Sequence, residues 1–385
     1  MNRKIRFWAA AAASVLLLAG GGVIFRMVQE RKATEAADAA QRAKWESAEQ
    51  AAVIQNAGDQ ADAVGPDTPR RRQVDYAFFA TNEYSEQNAF NRQQLFRNKE
   101  LIYGGKRYLR HTGIRAVLLL GLDRTADDLM EERAPWEQGQ TDAIFLLAHN
   151  TARNTVKILK IPRDTMAVMP GTNAENQVIS EGIAQITLAY TAGNGVDESC
   201  RVTCEVVSRL LGGIPIDHYM LGDLNIVAHV NDLVGGVTVR VPEDQTEWTD
   251  PAFRPGNTIT LHGKDAERFI RARNKEKSFT ALERMERQQI YIIAFEKQLK
   301  QCLKNDQDIV EKMFDTMEGD MLTDMKRKEY VDLTLSILGS GTLSEKDFVT
   351  LPGEPWAGPV YDEYHPHYAD IDREILDLFY YESAQ

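Results

Sequence analysis

Acids and arginines stand at the ends of three apolar runs. RAVLLLGL (115–122) is followed by Asp123 and Arg124, AIFLLAHN (143–150) is preceded by Asp142, and TVKILKI (155–161) is followed by Pro162, Arg163 and Asp164. Any one of these acids is explained by a turn or a helix cap. Repeated at three strand ends, where loops present charge to ligands, they point to one shared pocket. A second concentration lies in FIRARNKEKSFTALERMERQQ (269–289), which holds Arg271, Arg273, Arg284 and Arg287. Arg284, Arg287 and Gln288 fall at i, i+3 and i+4 and share a helix face. Arg287 has Glu283 four residues before it, a solvated pair that needs no function. Arg284 has no acid four residues away on either side. Gathered guanidinium groups repel unless an anion joins them, and their planar fork suits phosphate oxygens. Acids beside such a cluster fit Mg²⁺ held by a carboxylate pair and diphosphate oxygens, the chemistry of phosphoryl transfer. GxxxxGK[ST], GxSxG and HExxH are missing, which excludes the P-loop, nucleophile-elbow and zincin mechanisms.

These residues need a scaffold. The three apolar runs read as buried strands, with Thr151–Asn154 as a hairpin loop between the second and third. Helical patterns follow at 181–192 and 197–211. Strands at 216–223 and 236–241 enclose a helix at 223–233. Further helices cover 263–272, 281–303 and 305–318, with a late strand in DFVTLPG. Strands interleaved with helices imply an α/β fold with a central mixed β-sheet flanked by helices on both sides. The tail with Trp356 and several Tyr reads as part of the same body, and a helix is expected from Tyr76 to Leu101, closed by Gly104-Gly105.

Composition bounds the rest. The 385 residues carry a net charge of −12, which argues against a nucleic-acid partner held by bulk charge. Three Cys and seven His show no zinc spacing, and Cys200 and Cys204 read as buried thiols on a helix. Arg3, Lys4 and Arg6 precede an uncharged run, residues 7–25, close to the ~20 residues that span a bilayer. A cleaved signal peptide is the rival reading, but Val23, Ile24 and Phe25 extend the run past the small residues. The expected organisation is a cytoplasmic tail (1–6), a transmembrane helix (7–25), a helical stalk or linker (26–112) and an external catalytic domain (113–385).

In order, LLLGLDR, TDAIFLLAHN, VKILKIPRDT, ITLAY, LLGGIPIDHYMLGDL, DLVGGVTVRVPED, FIRARN and ERMERQQ resemble the LytR-CpsA-Psr family over about residues 115–289. The resemblance implies a membrane-anchored transferase of a Gram-positive type envelope. Such an enzyme moves a glycopolymer, of teichoic acid or capsule type, from undecaprenyl diphosphate onto peptidoglycan with Mg²⁺, or Mn²⁺ in its place. Asp123 and Asp142 match the acids that hold the metal. Arg163, Arg271, Arg273 and Arg284 match the arginines that grip the diphosphate, with Gln288 beside them. Among these, Arg163 and Arg284 would stabilise the leaving group. Asp164 matches a further acid that orients Arg163 or assists proton transfer. The chain departs from the pattern at Gln140, where many members have Arg, and at Ala281, where many have Asp or Asn, so polar contacts are expected to be lost there. Ile183, Ile186, Leu188, Leu210 and Leu211 would serve as lipid-channel lining or as plain core. Two rival functions remain: a hydrolase of lipid-linked or nucleotide diphosphates, and a non-enzymatic envelope regulator or scaffold.

Overall fold

The computed structural model describes residues 82, 84–123, 139–172, 178–242, 253–273 and 277–383. The expected membrane span (7–25), most of the stalk and Arg124 lie outside these residues. Among the described residues no helix is long and apolar enough to cross a membrane.

The described residues begin with a short helix, α1 (Glu86–Asn91), and a hairpin of β1 (Glu100–Tyr103) and β2 (Lys106–Arg110). Strands β3 (Ile114–Leu122), β4 (Thr141–Asn150) and β5 (Thr155–Lys160) follow, then a ribbon of β6 (Met166–Thr172) and β7 (Val178–Gln185). A 3₁₀ helix (Ile186–Ala192) leads to α2 (Val196–Leu210), β8 (His218–Gly222), α3 (Leu224–Leu233), β9 (Val237–Arg240) and β10 (Thr258–Leu261). Next come α4 (Lys264–Arg271), α5 (Thr280–Asn305), α6 (Ile309–Met317), β11 (Met321–Thr323), α7 (Arg327–Gly339) and β12 (Phe348–Thr350). The hairpin of β13 (Gly353–Ala357) and β14 (Asp362–Pro366), helix α8 (Tyr368–Phe379) and β15 (Tyr380–Glu382) complete the body.

The central sheet has six strands in the order β11-β8-β3-β4-β5-β12. β4 lies antiparallel between β3 and β5, while β8 joins β3 and β12 joins β5 in parallel, so the sheet is mixed. β3 is apolar on both faces because both are covered. Ala116, Leu118, Leu120 and Leu122 pack with Val206 and Val207 of α2 and Ile371 and Ile375 of α8. Val117 points the other way, into a cluster with Val230, Phe269, Tyr291 and Met313. Each such side chain contributes about 1.5–3 kcal/mol through burial.

Two expected elements change. Within 76–101 the described helix is only α1, and Gly104-Gly105, both at positive φ, form the two-residue turn of the β1/β2 hairpin instead of closing a helix. β2 pairs with β15, and Leu95, Phe96 and Leu101 lie in the main core, so packed structure starts well before residue 113. The helix expected at 181–192 is the end of β7 followed by the 3₁₀ helix. Cys200, Cys204 and Cys302 are free thiols.

Candidate active site at the ends of the central strands

Asp142 owes its position to an irregular ladder. In the β3/β4 pairing Gly121 faces Ala143 but Leu122 faces Thr141, so Asp142 is the extra residue of a β-bulge. A bulge re-aims a side chain at the edge of a sheet, and here it aims an acid. The β4/β5 ladder ends one bond later, where Ile161 N–H donates to Ile144 O at 2.9 Å and Pro162 has no N–H to continue it. The chain then turns: Thr165 N–H and Oγ1 donate to Pro162 O at 3.0 and 2.6 Å, leaving Arg163 and Asp164 at the corner. Thr187 of the 3₁₀ helix locks both halves. Its N–H donates to Arg163 O at 3.0 Å and its buried hydroxyl to Thr141 O at 2.9 Å.

Two arginines converge on the bulge. Arg284 Nη1 donates to Asp142 Oδ2 at 2.7 Å and its Nη2 to Asp142 O at 3.0 Å, while Arg163 Nη1 donates to Asp142 Oδ1. The acid that Arg284 lacked along its own helix is therefore on β4. Burial lowers the Arg284 pKa, opposed by Asp142. Arg163 also reaches Gln140 Oε1 at 2.6 Å, so Gln140 supplies a polar contact where one was expected to be lost. Ala281 is buried at the start of α5. Asp164 lies 3.4 Å from Arg163 Nε, and its Oδ1 accepts from Gln185 Nε2 at 3.0 Å. Burial raises its pKa, while Arg163, Arg273 and Arg284 pull it down. On the next strand end, Asp123 pairs with Arg271 at 2.6 Å, and Arg271 also holds Glu267 at 2.7 Å. Arg273, just past α4, is exposed, and forms no ion pair with another described residue.

Arg287 is not the solvated helix residue that its spacing implied. It is 2 % exposed, and its Nε donates to Phe269 O at 3.2 Å, one of the carbonyls left over in the last turn of α4. It braces the helix that delivers Arg271 and Arg273. The turn before α5 is held with similar care: Phe279 takes a left-handed conformation (φ 63°), and its N–H donates to Asp362 Oδ2 of β14 at 2.7 Å.

A cavity of about 230 Å³ opens between these elements. Asp123, Asp142, Arg271, Arg284 and Gln288 line it, so five of the eight expected site residues meet there. Arg163 joins them through Asp142, and Asp164 and Arg273 stand close enough to act electrostatically. The remaining wall is apolar, with Leu120, Leu122, Phe145, Ile226, Ile270 and Ile292 among its residues. Ile183, Ile186, Leu188, Leu210 and Leu211 do not line it; they lie in or against the core cluster that includes Val206 and Ile371.

Two further acids line the cavity. Glu267 is one; Asp223, at the end of β8, is the other. Asp223 is 3 % exposed and caps α3, accepting from Asn225 and Ile226 N–H at 2.8 and 3.1 Å. Burial raises its pKa to about 6. Its place before a helix reads as a cap, and only the β3/β8 register, with Gly121 opposite Gly222, brings it beside Asp123. Among the described residues no group of three or more His, Cys, Asp or Glu forms a ready metal cage. Asp123 and Asp142 thus offer a donor set that suits Mg²⁺ only in company with phosphate oxygens.

The chain is similar to several known proteins. TagV of Bacillus subtilis, a polyisoprenyl-teichoic acid–peptidoglycan teichoic acid transferase, is 31 % identical over 147 residues, 37 % of this chain and 34 % of that one. TagT of the same organism, a transferase of the same description, is 28 % identical over 211 residues, covering 52 % of this chain and 58 % of its own length. The chain thus spans between a third and three-fifths of these relatives. The crystal structure of B. subtilis TagV superposes with a TM-score of 0.53 at 22 % identity, over 69 % of this chain and 97 % of that one, a likeness of fold. Residues 77–373 match the LytR_cpsA_psr family. With most of its length matched, the chain belongs to the LytR-CpsA-Psr family.

Proposed function

We propose that this protein is a phosphotransferase that moves a glycopolymer of teichoic acid or capsule type from undecaprenyl diphosphate onto peptidoglycan. One observation carries the reading: arginines and acids line a cavity whose wall is otherwise largely apolar. A polyprenyl chain would lie along that wall, leaving its diphosphate among Arg163, Arg271, Arg273 and Arg284. On binding, these arginines would exchange carboxylate partners for phosphate oxygens, and Asp142 and Asp123 would be released. The two acids would then hold Mg²⁺ (or Mn²⁺), which supplies charge neutralisation between the phosphates. Gln288 would hold the diphosphate beside Arg284.

An acceptor sugar hydroxyl attacks the phosphorus bonded to the glycopolymer. The new O–P bond forms as the bond to undecaprenyl phosphate breaks, and Arg163 and Arg284 take up the charge on the leaving group. Asp164 would take the hydroxyl proton, or else steady Arg163. Both lipid carrier and wall acceptor fit an anchored protein with its body outside the membrane, and protease added to intact protoplasts would digest such a body. The deciding experiment supplies lipid-linked polymer and peptidoglycan fragments to the purified full chain with Mg²⁺. Phosphodiester-linked polymer plus undecaprenyl phosphate supports transfer. Water-derived phosphate products alone would reassign the site to a hydrolase.

A further inference from the structure

We propose that the outward face of the β13/β14 hairpin, with its turn, binds the acceptor as an uncharged N-acetylated sugar chain and delivers it to Asp164. The proposal rests on the transferase reading and adds the acceptor's docking surface.

The pairing of Glu354 with His365 and of Trp356 with Glu363 puts these four side chains on one face. The opposite face is anchored, since Tyr364 is buried and its hydroxyl donates to Leu351 O at 2.7 Å. Trp356 remains 53 % exposed although its ring stacks on His365 (5.3 Å, 16°), which stacks in turn on Tyr84 (4.1 Å, 19°). His365 is also tied to Glu363 at 2.7 Å. The turn adds exposed Val360 and Tyr361. A braced, half-exposed ring among carboxylates and imidazole is amphipathic in the way a sugar is. The apolar face of a pyranose can lie on the ring while its hydroxyls and amides meet the polar rim.

Charge and connectivity select the occupant. Residues 353–367 hold Glu354, Asp362 and Glu363 and no Lys or Arg, so a phosphate-rich polymer is repelled and an uncharged glycan is not. The hairpin is also wired to the strand-end site. Tyr364 N–H donates to Asp164 O at 2.9 Å, and Gln185 Nε2 bridges Asp164 Oδ1 (3.0 Å) and Asp362 O (2.7 Å). None of these hairpin residues lines the apolar cavity, so the surface approaches the site from a different side than the lipid.

The test titrates the purified full chain with a β-1,4-linked N-acetylglucosamine tetramer and, separately, with poly(glycerol phosphate) and a polyprenyl diphosphate. Trp356→Ala should weaken tetramer binding at least fivefold, Tyr361→Ala should weaken it less, and Trp356→Tyr should restore most of it. Polyprenyl diphosphate affinity and thermal unfolding should be the same in all variants. The proposal is overturned if the wild-type chain does not bind the tetramer, if Trp356→Ala binds it normally, or if poly(glycerol phosphate) displaces it. Failure here with intact polyprenyl diphosphate binding rejects the docking surface alone. Loss of polyprenyl diphosphate binding in the wild type would instead reject the transferase reading.

Discussion

Asp142 has a competitor for every ligand it could take. Its two oxygens are already held by Arg163 and Arg284, and Asp123 is held by Arg271. A cation must displace arginines to reach these acids, and a phosphate must draw arginines away from acids. Each ligand removes the obstacle to the other, so Mg²⁺ and a polyprenyl diphosphate should bind with mutual enhancement, about tenfold or more. Calorimetry with each alone and both together checks this; equal affinities in both conditions would contradict it. The same geometry separates two neighbouring arginines. Arg284→Ala removes a charge-assisted phosphate contact worth about 1.5–3 kcal/mol, so diphosphate affinity should fall about tenfold or more. Arg287→Ala leaves an α4 carbonyl without its donor and opens a buried space, so stability should fall by about 2–4 kcal/mol. Diphosphate binding, measured below the lowered melting point, should suffer less than in Arg284→Ala.

The cap of α3 makes a prediction about pH. Asp223 has its pKa raised from 3.8 to about 6, so the folded state binds its proton more tightly than the unfolded chain. Stability from this group is therefore complete below about pH 3.8 and declines as pH rises through about 6. Asn caps as well as Asp and carries no charge, so Asp223→Asn should flatten that decline and add about 1–2 kcal/mol at pH 7. Unfolding curves at pH 4 and pH 7 decide the matter; a variant weaker at both would show that the charge itself is needed. Elements also show what the sequence could and could not reveal. β3, β4 and β5 were legible because sheets covered on both faces demand unbroken apolar runs, and Arg284 stood out by lacking a local partner. The bulge at Asp142 was not legible, because an extra residue in a ladder is defined by the strand opposite. Nor was the burial of Arg287, since Glu283 offered a sufficient local explanation. Gly104-Gly105 could end a helix or turn a hairpin, and only β15 across from β2 decides between them.

At the scale of the molecule, the last strand closes onto the first hairpin. Tyr380 is buried, and its hydroxyl lies 2.8 Å from both Phe96 O and Asn98 O. Tyr380→Phe should therefore cost about 1–2 kcal/mol by denaturant unfolding, whereas a body beginning at residue 113 would lose almost nothing. Distant parts of the chain meet again at Phe279, whose left-handed backbone is disfavoured for a bulky residue by roughly 1–2 kcal/mol. That conformation, directly before the helix of Arg284, has its N–H anchored on Asp362 across the domain. This amide can exchange its proton with solvent only when the hairpin lets go, which turns it into a clock for hairpin opening. Deuterium uptake there should report that opening selectively. Asp362→Ala should quicken it while the amides in the middle of β3 and β4 keep their slow exchange.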